Sequence, residues 1–139
     1  MVTRQTQRNR TILVITWGHF LAEAVRPLQI AKELRALGYR VIFAMVGQSV
    51  EFARQAGFEV RPIIELDFGA VIQKFMGLKG IDLHTAESAE RFVKEEVALI
   101  REVKPDAVMN TILRFTAPIS ADVAGVPNIE ICNANAYRY

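Results

Sequence analysis

His19 is the residue of this sequence best placed to do chemistry. It follows Gly18 directly after the run Thr11-Ile-Leu-Val-Ile-Thr-Trp17. An imidazole with an unperturbed pKa of about 6.5 can remove a proton from a hydroxyl close to neutral pH. The same position also suits a loop histidine hydrogen-bonded to nearby backbone. His84 is the only other histidine, and the two are not spaced as a helical metal pair and have no acidic cluster beside them, so no metal site is expected.

Other chemistries lack their residues. The turn Thr16-Trp17-Gly18-His19-Phe20-Leu21 carries neither GxGxxG nor GxxxxGK[ST], so backbone N–H groups cannot close on a pyrophosphate there. No cofactor is expected on this domain. There is no GxSxG elbow for a nucleophilic serine. A phosphorylated receiver site wants acids clustered at strand ends, whereas the acids here read as lying on helices or at their edges. Cys132 is the only cysteine. It cannot form an internal disulfide or a thiolate zinc cluster, and a reducing, cytoplasmic setting is the simplest reading.

The elements that must position His19 alternate between strand and helix. Thr11–Trp17 is continuously apolar and β-branched, as in a strand covered on both faces. Apolar residues at 21, 25, 28, 31, 34 and 37 then advance with helical period. Pro27 falls inside this run, and proline is tolerated only in a first turn, so the regular helix is expected to begin near Arg26. Tyr39–Val46 reads as a second strand, and Ser49 as the N-cap of a short helix over Val50–Ala56. Phe58–Ile63 reads as a third strand near the sheet edge, because Pro62 lacks a donor. A long helix runs from about Thr85 to Val103 with Val93, Val97 and Ile100 on one face, and Lys104-Pro105-Asp106 stops it. A fourth strand starts at Ala107-Val-Met109, a short helix spans Pro118–Ala124, and a fifth strand spans Pro127–Cys132.

Helices between strands supply parallel crossovers. The expected fold is therefore α/β, a three-layer, doubly wound parallel sheet of about five strands. Ligands in such sheets bind outside the carboxyl ends of the strands. That edge holds Trp17 to Phe20, Gly47 to Ser49, Asn110 to Arg114 and Asn133 to Tyr139.

Composition bounds the rest. The 139 residues make one domain, and a 51% hydrophobic content excludes a disordered chain. The net charge is +2, but Arg4, Arg8 and Arg10 carry +3 of it, leaving residues 11–139 at −1. Residues 1–10 are expected to be a flexible basic arm and 11–139 a single domain. A nearly neutral body does not argue for nucleic acid. No apolar run is long enough to span a membrane, and the polar N-terminus is not a secretory signal.

Four segments, in order, carry a family resemblance. They are Ile12-Leu-Val-Ile-Thr-Trp-Gly-His19, Pro27 to Phe43 with its helix and second strand, the "AGF" turn within Phe52–Ile63, and Lys104-Pro-Asp-Ala-Val-Met-Asn-Thr111 with Ile119 to Pro127. Together they resemble the N-terminal half of a GT-B glycosyltransferase, above all the UDP-glycosyltransferase-like group that modifies natural products and lipids. The resemblance covers nearly the whole chain. It implies a Rossmann-like domain in which His19 is the general base on an acceptor hydroxyl. In the family an aspartate at the end of the "KPD" strand often orients that histidine, and the matching position here is Asn110. An amide can accept a hydrogen bond from imidazole but cannot balance imidazolium. The stretch from His19 to Pro27 is also longer than the family's common GHxxP spacing.

The resemblance further implies a missing partner. GT-B enzymes have two Rossmann-like domains, and the nucleotide-sugar donor binds mainly to the C-terminal one. This chain would be the acceptor-binding half, inactive without a donor domain from the same gene or a separate subunit. Its acceptor would be a small molecule or lipid. Trp17, Gly18, Phe20 and Arg114 are candidate acceptor contacts, and Asn133 and Asn135 match the family's "NAY"-type segment, with Tyr137. Trp17 equally suits core packing, Arg114 a solvated loop, and the last segment a loose tail. The apolar stripe of 68–80, flanked by Lys74 and Lys79, can lie on an anionic membrane surface, line a lipophilic acceptor site or support a homodimer. The competing reading is a non-catalytic α/β module that binds a ligand or partner protein.

Overall fold

The computed structural model describes residues 9–65, 76–77 and 85–132. The expectations for the arm over 1–8, for most of 68–80 and for Asn133, Asn135 and Tyr137 therefore lie outside the described residues. The elements are β1 (Thr11–Ile15), α1 (Leu21–Ala36), β2 (Arg40–Ala44), α2 (Val50–Gln55), β3 (Glu59–Arg61), α3 (Ala86–Val103), β4 (Ala107–Thr111), α4 (Ala117–Ala124) and β5 (Asn128–Ile131). The sheet order is β3-β2-β1-β4-β5, and every neighbouring pair is parallel. This is the expected Rossmann-like α/β fold.

The period of two in a strand sorts the core onto two faces. Ile12, Val14, Val41 and Phe43 pack with Leu28 and Ala31 of α1 and Ala53 of α2. Leu13, Ile15, Ile42 and Val108 pack with Ile100 of α3 and Ala117 and Ala121 of α4. Both faces of the central strands are covered, which is why their sequence is apolar throughout rather than alternating.

Helix α1 departs from its expected start. It is helical from Leu21, five residues before Arg26, with Pro27 inside it. Proline has no N–H to give the carbonyl four residues earlier, which belongs to Glu23. That carbonyl is served from outside the helix: Thr16 Oγ1 donates to it at 2.6 Å. Thr16 also contacts Thr111 Oγ1 at 3.1 Å, so the freed carbonyl is tied into β1 and β4. The apolar stripe is correspondingly narrower than its periodicity suggests. Ala24, Pro27, Leu28 and Ala31 are buried, whereas Leu21 and Leu37 at its ends are more than half exposed.

The other helices keep close to their expected limits. Thr85 caps α3 by accepting from the Ser88 N–H, and Lys104 ends it in a left-handed conformation. Its buried face holds Val97 and Ile100 as expected, but also Phe92 and Glu96. Ser49 stands at the start of α2 without a side-chain capping bond, and its backbone N–H instead donates to the Gly18 carbonyl at 2.9 Å.

The register sets where function can sit. Ile15 lies level with Ala44 on one side and Asn110 on the other. Strands β1, β2 and β4 therefore end together, and the loops 16–20, 45–49 and 112–116 leave from one edge. The strand order reverses between β1 and β4, the crevice where open α/β sheets hold ligands.

Candidate active site

Gly18 and His19 leave β1 against the loop that leaves β2. A Cβ on Gly18 would fall 1.9 Å from the Val46 carbonyl oxygen, and one on Gly47 would fall 2.8 Å from Gly18 C and 2.9 Å from His19 N. Only bare Cα atoms let the two backbones approach this closely. Gly47 also has φ +107°, outside the range of other residues. The contact is sealed by the Ser49 N–H on the Gly18 carbonyl and by the Gln48 side-chain amide, which donates to the His19 carbonyl at 3.4 Å.

Glu65 closes the same junction from beyond β3. Its Oε1 accepts from Gly18 N at 3.2 Å and Val46 N at 3.4 Å. Its Oε2 lies 3.4 Å from His19 Nε2, within ion-pair distance, and accepts no hydrogen bond among the described residues. The Glu65 side chain is 2% exposed and that of His19 28%. Burial pushes the Glu65 carboxyl up to about 7, against the two backbone N–H groups and the charge of Arg114, which pull it down. A partly exposed imidazole thus faces a buried carboxyl that titrates near neutrality. The sequence reading placed the acids on helices or at their edges, and Glu65, just past an edge strand at the ligand-binding end of the sheet, corrects it. The signal that marks it is its place at a strand's carboxyl end.

A small aromatic crevice opens among the loops that follow β1 and β4. Trp17, Phe92, Leu113, Arg114, Phe115 and Thr116 line it. Trp17 is buried and its ring meets that of Phe20 at 5.2 Å, tilted by 44°. Leu113 and Phe115 stand partly exposed at the rim. Trp17 and Phe20 therefore lie at the same edge as His19, with the Trp17 ring packed inside.

Arg114 is not a solvated loop residue. It is 3% exposed. Its guanidinium donates to Glu96 Oε1 at 2.7 Å and to the Ile64 carbonyl at 2.8 Å, and it lies 5.3 Å from the Phe92 ring centre. Glu96 is fully buried and also accepts from Thr116 Oγ1 at 2.9 Å and Ser120 Oγ at 2.5 Å. The network ties α3 to the start of α4 and, through Ile64, holds the segment carrying Glu65. Glu96 was not legible as functional or structural in sequence, because one acid on a charged helix looks like its solvated neighbours.

Asn110 is fully buried at the end of β4. Its Nδ2 donates to the Thr111 carbonyl at 3.0 Å, and its Oδ1 has no hydrogen-bond partner. The carboxyl that the described structure sets against His19 is Glu65. Among the described residues no group of three or more His, Cys, Asp or Glu side chains could hold a metal ion.

With this geometry in view, comparison with known proteins becomes informative. No family model matches the chain. Among curated proteins, a PGL/p-HBAD biosynthesis rhamnosyltransferase of Mycobacterium bovis (strain BCG / Pasteur 1173P2) is 28% identical over 128 residues, which is 91% of this chain and 27% of the relative. A PGL/p-HBAD biosynthesis glycosyltransferase of Mycobacterium tuberculosis (strain ATCC 25618 / H37Rv) is 27% identical over 91% of this chain and 29% of its own length. A third relative, from the same M. bovis strain, bears the name of an inactive glycosyltransferase. Among solved structures, the glycosyltransferase SnogD from Streptomyces nogalater superposes with a TM-score of 0.67 at 22% identity, covering 90% of this chain and 33% of SnogD. The spinosyn forosaminyltransferase SpnP gives 0.69 at 19% identity, covering 94% and 32%. At these identities the structural likeness speaks for the fold.

The fold is that of one Rossmann-like domain of the GT-B class, and the homologues are glycosyltransferases. The chain spans about a third or less of the length of the relatives it matches.

Proposed function

We propose that this chain is the acceptor-binding, N-terminal half of a glycosyltransferase that moves a sugar from a nucleotide-sugar to a hydroxyl of a small-molecule or lipid acceptor. The observation that carries the reading is His19. It stands partly exposed at the carboxyl edge of the sheet, on the loop that the glycosyltransferase resemblance assigns to a base, and a small aromatic crevice opens at the same edge.

The acceptor lies across the Trp17, Phe20 and Phe115 side of the edge. An imidazole nitrogen of His19 takes the hydroxyl proton as the oxygen bonds to the anomeric carbon. The bond from that carbon to the donor phosphate breaks, and its electron pair leaves with the nucleoside diphosphate. The donor is held by a second domain, in the same polypeptide or a separate subunit, and this half alone does not catalyse transfer. The lone Cys132 fits a reducing compartment, and we place the protein in the cytoplasm.

The test is a transfer assay on a protein that joins this chain to its donor domain. Transfer to a hydroxylated acceptor that falls about 10²–10⁴-fold in His19→Ala supports the reading. Transfer at an unchanged rate removes His19 from the mechanism. Full binding of acceptor with no transfer in the joined protein favours a non-catalytic module, a state that the name of one relative describes for that relative.

A further inference from the structure

We propose that Glu65 is the positioning carboxylate of His19, taking from beyond β3 the part that a carboxylate at the Asn110 position would play from β4. The inference rests on the reading of His19 as base, but its first test does not depend on catalysis.

Geometry carries the assignment. A partner for a catalytic imidazole must be close, held in place and shielded from water. Glu65 Oε2 is 3.4 Å from His19 Nε2, and its side chain is almost fully buried. The carboxyl is held through its other oxygen by Gly18 N and Val46 N, the backbone that also fixes the His19 loop. Among the described residues the oxygen facing His19 accepts no hydrogen bond, which leaves its lone pairs to meet the imidazole when that acquires a proton. Asn110 offers no comparable group: it is neutral, and its amide nitrogen is committed to Thr111 O.

The charged groups around the pair come from several elements. His19 faces Glu65 from the β1–α1 loop, and Arg114 acts on Glu65 from the loop after β4. Arg114 is itself balanced by Glu96 of α3 at 2.7 Å. Among the described residues, then, His19 is the ionisable side chain that faces the outer oxygen of the Glu65 carboxyl. When it gains the acceptor's proton, the new positive charge forms 3.4 Å from the Glu65 carboxyl.

The first experiment reads Glu65 itself. The side-chain carboxyl carbon of Glu65 is followed by NMR against pH in the wild-type chain and in His19→Gln, a change at a partly exposed loop residue. The wild-type midpoint is expected near 7. The proposed pairing requires it to rise by at least half a unit in His19→Gln, where any positive charge on the imidazole is lost. A midpoint that stays put shows the two groups uncoupled and overturns the proposal, whatever the enzyme does.

The second experiment uses the joined transferase. Glu65→Gln keeps an acceptor for both N–H groups and removes the charge. It should lower kcat by about 10–100-fold with KM changed less than threefold, and Glu65→Asp should restore part of the loss. Unchanged kcat in a folded Glu65→Gln overturns the positioning role. An unchanged transfer rate in His19→Ala with an intact NMR coupling sinks the base reading and leaves the pairing standing, whereas lost transfer with no NMR coupling does the reverse.

Discussion

Arg114 and Glu96 form an ion pair inside the protein, 2.7 Å apart, with side chains 4% and 0% exposed. Glu96 also accepts from two hydroxyls and Arg114 donates to the Ile64 carbonyl, while the Arg114 Nε has no hydrogen-bond partner among the described residues. Removing one member leaves the other charged, buried and uncompensated, which costs about 3–5 kcal/mol. Arg114→Met should therefore lower the unfolding free energy, read from urea denaturation, by that order, and adding Glu96→Gln should recover part of it. A single variant as stable as wild type would show that water already screens the pair.

Thr16 should matter more than a buried threonine normally does. Its hydroxyl serves the Glu23 carbonyl that Pro27 cannot. Thr16→Val leaves that carbonyl without its donor and should cost about 1–3 kcal/mol. In a Pro27→Ala background the helix regains its own N–H at that carbonyl, and the same change should cost less. The double-mutant cycle measures the coupling, and strict additivity would refute it.

The loop junction should tolerate no Cβ. Gly47→Ala collides with Gly18 and His19 backbone at 2.8–2.9 Å and must hold φ +107°. It should destabilise the chain by more than about 1 kcal/mol and displace His19. Gly18→Ala, at 1.9 Å from the Val46 carbonyl, should do at least as much. Chemical denaturation and the chemical shifts of His19 check both.

Glu65 should give stability an unusual pH dependence. Its folded pKa of about 7 lies above the ordinary carboxyl value of 4.5. Between those values the folded state holds more protons than the unfolded one, so this group's contribution falls as pH rises through that window. Glu65→Gln removes the titration. The stability of Glu65→Gln relative to wild type should therefore improve steadily from about pH 4.5 to 7 and level off outside it. A flat difference across the window would show that the Glu65 carboxyl is not raised in the folded chain.

Strand and helix order, the parallel sheet and the place of His19 could be read along the chain because each depends on local pattern. Continuous β-branched runs mark covered strands, and spacings of three or four mark helices. Pro27 misled for the same reason. A local rule starts the helix near Arg26, and the structure starts it five residues earlier, at Leu21, because Thr16, eleven residues before Pro27 and just past β1, supplies the missing donor.

What the sequence determined by itself is the frame: five parallel strands, helices on both faces, and an imidazole at the edge where ligands bind. What only the tertiary structure decided is who meets whom at that edge. Glu65 reaches His19 across 46 residues of chain, and Glu96 reaches Arg114 across 18. Neither pairing has a periodicity or motif. Each follows from the register of the strands and from burial, which turns an ordinary acid into one that must find a partner or hold its proton.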